Sequence, residues 1–264
     1  MRDQGLEEAI RAVGGVSELA RRIGISQPSV SNWNRIPAER VLAVEVATGI
    51  AREILRPDLY AKGAIFGNEI SGGDVDEVDS ARAQEYALLS VLLARAPDAE
   101  MLARLGELRA DATPIGLAHA ALAEAANATT AEKVEREYFD LFIGLGRGEL
   151  LPYGSYYLTG FLHERPLARL REDLIKLGIE RREGNPEPED HVAILLEVMA
   201  GLAGGRFPAP AGSDRELFRK HLEPWAGRFF KDLEQAEAAK FYARVGTFGR
   251  VFTEIETEAF ALTS

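Results

Sequence analysis

The chain is expected to be all-α, with a small helix-turn-helix unit ahead of a larger all-helical one. Three observations lead there. Apolar residues recur at i, i+3 and i+4 along most of the chain, the stripe of a helix with one buried face, and no sustained two-residue alternation marks a strand. Residues 17–33 hold two short Ser-led helical segments around Gly24, which is helix-turn-helix spacing. Residues 61–80 are glycine-rich and acidic without an apolar period, the composition of a linker. The expected organisation is therefore 1–60, a flexible acidic linker at 61–80, and 81–264.

Taken in order, residues 6–13 read as an amphipathic helix with Leu6, Ile10 and Val13 inward, ended by Gly14-Gly15. Ser17 is placed to cap a helix 18–23, Gly24 suits a turn with positive φ, and Ser26 is placed to cap a second helix 27–33. The small Ala20 lets the two helices approach, and Ile23, Ile25, Val30 and Trp33 supply a shared core. A generic helical hairpin shares these features. The stretches Pro37-Ala38-Glu39-Arg40, Glu45 to Gly49 and Leu55-Arg56-Pro57-Asp58-Leu59 go further: residues 4–60 resemble the YdaS/Cro-like DNA-binding domains related to phage repressors. That resemblance implies that Gln27, Ser29 and Asn32 face base edges, with Pro28 beside them. Gln and Asn amides suit adenine, and Ser pairs with several base edges. Arg21, Arg22 and Arg35 are then candidates for phosphate contacts, though each alone is equally a solvated surface charge.

Helical patterns resume near Ala81. Thr129 with Glu132 and Ser213 with Glu216 have capping-box spacing and mark two helix starts, while Gly178, Gly184 and the 204–212 stretch mark breaks. Within residues 137–160, Tyr138, Leu141 and Phe142 share a helical face, after which Gly144, Gly146, Gly148 and Pro152 forbid a regular helix. On these residues alone the stretch is also a core helix running into a surface loop. Farther on, the proline-bounded acidic run Pro186 to His191 leads into the apolar helix 192–199. Asp190 and His191 then sit near its first turn, where a carboxylate is favoured and a plain capping role is open.

Tyr138, Leu141 and Phe142, then Pro152 and Ser155, then Glu187, Pro188, Asp190 and His191, resemble in their order the TorD/DmsD family of molybdoenzyme chaperones. The resemblance covers about residues 81–264 and extends to the ending from His221 to Phe252. It implies that the chain is a cytoplasmic chaperone. Its partners are then the catalytic-subunit precursor of a molybdopterin oxidoreductase, such as a formate dehydrogenase, and that precursor's twin-arginine signal peptide. Tyr138, Leu141 and Phe142 would form an apolar-aromatic groove, with Pro152, Ser155 and Glu187 around it. Asp190 would pair with an arginine, and His191 would orient or hydrogen-bond. The chain departs from the family pattern at Tyr138, where some members carry Trp, and in its extra N-terminal unit. A second reading is a transcription regulator whose chaperone-like half senses client or cofactor status. A third keeps the N-terminal unit for dimerisation, giving a homodimer.

Composition bounds these readings. With 46% hydrophobic and 28% charged residues the chain is of ordinary globular type. No apolar run is long enough to span a membrane and no secretory signal opens the sequence, so a cytoplasmic protein without membrane insertion is expected. The absence of cysteine excludes disulfides, thiolate metal sites and a Cys nucleophile. The net charge of −11 is unevenly spread: residues 1–60 carry eight Arg against eight acids, residues 61–80 one Lys against five, and residues 81–264 22 cations against 29 carboxylates. The acidic C-terminal part favours a basic partner, and the neutral N-terminal part is not repelled from DNA as the rest would be.

Catalysis is not expected. The four histidines lack metal-ligand spacing, and the adjacent Asp190 and His191 point apart with no Ser or Cys elbow to complete a constellation. The 144–148 glycines lack the preceding strand and the Lys-Ser/Thr ending of a phosphate loop. No metal and no cofactor is expected, beyond a weak contact with a guanine nucleotide or the molybdopterin cofactor.

Overall fold

The structure is a computed structural model. It describes residues 3–37, 40–50, 52–55, 76–180 and 187–262. The chain divides into two compact units, Met1–Asn68 and Glu69–Ser264. Both are helical, and no strand occurs among the described residues.

In the first unit, α1 (Gln4–Val13) begins at Asp3, whose carboxylate accepts from the Leu6 amide at 3.0 Å, and ends at Gly14 in the left-handed conformation. Helices α2 (Val16–Arg22) and α3 (Gln27–Ser31) form the helix-turn-helix. Gly24 between them has φ +70°, the conformation that disfavours any side chain there. Helices α4 (Val41–Thr48) and α5 (Arg52–Leu55) close the unit over Leu6, Leu19, Val30, Ile36, Val41 and Val44, all fully buried.

Two expectations here are corrected. Ser17 lies inside α2, which starts after Gly15 and has no side-chain cap. Helix α3 is capped by Ser26 as expected, yet it stops at Ser31 and not at Trp33. The Trp33 amide turns back to the Val30 carbonyl at 3.1 Å, a three-residue spacing that tightens the chain out of the α-helix. Asn32 is therefore the C-cap of α3.

In the second unit, α6 (Glu77–Ala94) starts four residues earlier than the sequence suggests. Asp76 caps it by accepting from the Asp79 amide at 2.8 Å, so Asp76, Glu77 and Asp79 are N-terminal helix acids at the favourable end of the dipole, not linker. The rest of the expected linker, 61–75, lies outside the described residues, as do Pro57, Asp58, Leu59, Gly184 and Pro186.

Next come α7 (Ala99–Gly106), α8 (Pro114–Asn127), α9 (Ala131–Tyr138), α10 (Gly154–Thr159) and α11 (Arg165–Lys176). Then follow α12 (Val192–Ala203), α13 (Ser213–Leu217), α14 (Ala226–Gln235) and α15 (Phe241–Leu262). Two starts are offset by one residue: Thr130 precedes α9 in place of Thr129, and Gly212 precedes α13 so that Ser213 is already helical. Helix α12 is apolar nearly all round, and it is buried along α6 accordingly. Helix α15 packs on α14 and α8. Buried Glu256 of α15 accepts two hydrogen bonds from Arg82, both at 2.8 Å, and one from Tyr86 at 2.6 Å, tying α15 to α6.

Candidate functional site

Helix α9 does not continue as an α-helix through Phe142. Residues Phe139–Ile143 form a π-turn, closed by the Gly144 amide on the Phe139 carbonyl at 2.7 Å. That wider turn separates the three residues expected to share a face. Leu141 is fully buried and belongs to the core, not to a groove wall. Tyr138 and Phe142 remain half-buried and stack at 5.0 Å between ring centroids, each also packing on the fully buried Tyr242 at 5.8 and 5.5 Å. Tyr242 donates to the Leu92 carbonyl at 2.9 Å and Tyr138 to the Leu93 carbonyl at 3.4 Å, satisfying acceptors at the C-terminal end of α6.

The glycine loop after the π-turn folds back on it. The Glu149 and Leu150 amides bond the Asp140 and Leu141 carbonyls at 3.1 and 2.8 Å. A Cβ on Gly148 would strike the Phe142 backbone, so this glycine serves close approach of two chain segments.

The two sequence motifs then meet. Tyr153 and His191 form an isolated antiparallel bridge, in which the Val192 amide bonds the Pro152 carbonyl at 2.8 Å and the Gly154 amide bonds the Asp190 carbonyl at 2.9 Å. The bridge fixes every remaining member of the set. Pro152 and Ser155 are buried, Pro152 acting through its carbonyl. His191 is buried and caps α12, its Nδ1 accepting from the Ala193 amide at 3.2 Å. Its ring meets Tyr153 edge-on at 5.1 Å. Burial holds the imidazole below its ordinary pKa, so it is neutral, with its proton on Nε2 while Nδ1 accepts. Glu187 is half-exposed and accepts from the Tyr153 hydroxyl at 2.7 Å. Burial first, and the Glu187 charge second, push the Tyr138 hydroxyl up to about 12; burial and the hydrogen bond to Glu187 raise Tyr153 further. Both phenols are therefore donors at neutral pH. Pro188 holds the turn through its carbonyl, which accepts from the His191 amide at 3.0 Å.

Asp190 faces the other way from His191. It is 3% exposed, and one carboxylate oxygen accepts from the Ser155 amide at 2.7 Å at the start of α10. The other oxygen, Oδ1, has no hydrogen-bond partner, nor does the buried Ser155 hydroxyl. An unmatched buried carboxylate oxygen costs about 1–3 kcal/mol or more, which is seldom retained without a use. Asp190 lines a cavity of about 370 Å³ with Gly154, Leu158, Asp173, His221 and Trp225. Asp173 there accepts from Lys176 at 2.7 Å and His221 at 2.9 Å, and these bonds push its carboxyl down to about 2. The cavity also holds Arg169, Lys220 and Glu172, so its charge is mixed.

Tyr138, Glu187 and His191 are thus neighbours of Tyr153, and Phe142 packs on Tyr138, while Asp190 lines a separate cavity. Tyr153 is not a candidate site residue from the sequence, and His221 and Trp225 enter there only as the start of the family-like ending. Tyr153 was findable from its place between Pro152 and Ser155. Trp225 and His221 lie 35 and 31 residues beyond Asp190, and nothing local points them at it.

In the first unit, Gln27, Pro28, Ser29 and Asn32 are all exposed beside the buried Val30. Arg21 and Arg22 both bond Glu18, at 2.6 and 2.9 Å, and Arg35 pairs with Asp3 at 3.2 Å. The first two contacts hold the Glu18 carboxyl down to about 2. A phosphate would have to compete with these exposed ion pairs, which are weak. Among the described residues no helix is long and apolar enough to cross a membrane, and no group of His, Asp or Glu has metal-site geometry.

Comparison with known proteins matches these two units to two families. Residues 108–231 match the family described as nitrate reductase delta subunit, and residues 6–63 the one described as bacterial toxin YdaS. The chain is 25% identical to the chaperone protein TorD of Shewanella loihica, over 70% of this chain and 96% of that protein. It is 27% identical to TorD of Aliivibrio fischeri, over 68% of this chain and 94% of that protein. A Haemophilus influenzae protein named "Probable Tat proofreading chaperone DmsD" is 30% identical over 42% of this chain and 54% of its own length. All three relatives are named as chaperones. The second unit is thus similar to the TorD and DmsD chaperones, and the first to the YdaS family.

Proposed function

We propose that the second unit is a maturation chaperone for a redox enzyme, and that it acts by holding the twin-arginine signal peptide of a molybdopterin oxidoreductase precursor. A formate dehydrogenase is the candidate client. The observation that carries this reading is the unpartnered Oδ1 of Asp190, buried at the wall of a cavity large enough for a long side chain. A guanidinium is the natural partner, because it supplies several donors to a carboxylate and keeps its charge when desolvated. Its neighbour in the peptide would meet Glu187 across the bridge, and the apolar part of the peptide would lie against Tyr138 and Phe142. The test is calorimetry of the full chain with a synthetic twin-arginine signal peptide and its twin-lysine counterpart. Tight binding of the first and weak binding of the second is expected; no binding of any twin-arginine peptide from the same genome removes the reading.

For the first unit the proposal is sequence-specific DNA binding, motivated by Gln27, Pro28, Ser29 and Asn32, which are exposed along the capped helix α3 from its first residue to its C-cap. The unit would then make the protein a regulator whose chaperone half senses its client. Replacing Gln27 or Asn32 by Ala is expected to cost about 1–3 kcal/mol on an operator selected from random DNA, with non-specific binding unchanged. Equal losses on both DNAs would exclude base readout and favour a unit kept for homodimerisation.

The domain organisation proposed is 1–60 joined by a tether to a chaperone unit that starts at Asp76, with Asp76 as its first cap. Limited proteolysis is expected to cut first between residues 61 and 75 and leave two folded fragments. Unfolding of the larger fragment on cleavage would mean a shared core.

A further inference from the structure

A second cavity, of about 620 Å³, lies between α8, α9 and the start of α15. Four cations line it: Lys133 and Arg136, three apart on α9, and Lys240 and Arg244, four apart at the start of α15. All four are exposed, and none is in an ion pair with a carboxylate among the described residues. This sets them apart from Arg82, Arg104, Arg171, Lys176, Lys220 and Arg250, each of which has an ion-pair partner. The convergence occurs where 29 carboxylates outnumber 22 cations, so it is not a by-product of a basic surface.

The cations are held in place by Glu137. Its buried carboxylate accepts from the Lys240, Phe241 and Tyr242 amides at 2.7, 3.2 and 2.6 Å, which clamps α9 to the N-terminus of α15 and fixes the four cations around one opening. The lining holds three carboxylates, Glu124, Glu137 and Asp140, against four cations, so one more cation than acid faces the cavity. The lining also includes Ala121, Ala125 and Ala128, which recur on one face of α8 and just past its end. Three alanines and four cations in the lining of one cavity of small-molecule size suit a ligand with one anionic end and an uncharged body.

We propose that this cavity binds a phosphorylated small molecule, with its phosphate against Lys133, Arg136, Lys240 and Arg244 and its body on the three alanines. The site is separate from the peptide-binding reading and does not depend on it. The experiment is calorimetry of the full chain at low ionic strength with phenyl phosphate, with inorganic phosphate, and with vesicles containing phosphatidic acid. Phenyl phosphate should bind, and more tightly than inorganic phosphate. The double substitution Arg136→Gln with Arg244→Gln should weaken it at least tenfold without changing the melting temperature, since both side chains are exposed. Arg104→Gln, which removes a paired arginine outside the cavity, should leave it unchanged. The proposal is overturned if neither phosphate binds at millimolar concentration, if the double variant binds as well as the parent, if Arg104→Gln loses as much, or if only the vesicles bind.

Discussion

Replacing Glu137 by Ala is expected to lower the stability of the second unit by about 3–5 kcal/mol, because three amides at the start of α15 would lose their acceptor at once. Each buried donor left without a partner costs about 1–3 kcal/mol, partly recovered where water reaches the site. The Glu137 carboxylate does for the 22-residue helix α15 what a local Ser or Asp usually does, only from 103 residues away. Glu137→Gln keeps one acceptor oxygen and should lose markedly less. The measurement is denaturant unfolding, together with hydrogen exchange of the Lys240, Phe241 and Tyr242 amides. In the Ala variant these amides should exchange far faster than the middle of α15. Unchanged protection there would show that the helix start is held by something other than Glu137.

Glu137 also shows where the sequence stops being legible. Its neighbour Tyr138 stands out through aromatic periodicity, but a capping carboxylate is recognised by being next to the helix it caps. Here the helix begins at Phe241, and only the tertiary fold joins the two. Leu141 fails for a different reason. The i, i+3, i+4 rule assumes 3.6 residues per turn, and the π-turn at Phe139–Ile143 rotates Leu141 into the core while Phe142 stays at the surface. Asp76, Glu77 and Asp79 read as linker because acidic, glycine-rich composition dominates a window that includes the cap of α6. By contrast the short-range features of the first unit were readable. The Ser26 cap and the positive φ of Gly24 each depend on residues within one turn of each other. The pairing of the 152–155 and 187–191 motifs was readable only as order along the chain. That they form a bridge, and that this bridge sends Asp190 and His191 to opposite sides, is set by the packing of α10 against the start of α12.

That opposition makes Asp190→Asn the sharpest test of the peptide reading. Asparagine keeps an oxygen for the Ser155 amide, so the start of α10 and the melting temperature should survive, while the unpartnered oxygen loses its charge or becomes an amide nitrogen that repels a guanidinium. Removing one partner of a desolvated, hydrogen-bonded charge pair costs about 2–5 kcal/mol of binding. A twin-arginine peptide should therefore bind Asp190→Asn about 2–4 kcal/mol more weakly than the parent. Glu187 is half-exposed, so Glu187→Gln should cost no more than about 1 kcal/mol. Salt separates the two further. At high ionic strength the Glu187 contribution should fade, and the Asp190 contribution should persist because its oxygen is shielded from mobile ions. Calorimetry on both variants at two salt concentrations reads all four values. If Asp190→Asn binds as tightly as the parent while the parent binds a twin-arginine peptide well, the cavity behind the bridge is not the arginine pocket. The charge recognition would then rest with Glu187 on the Tyr153 side.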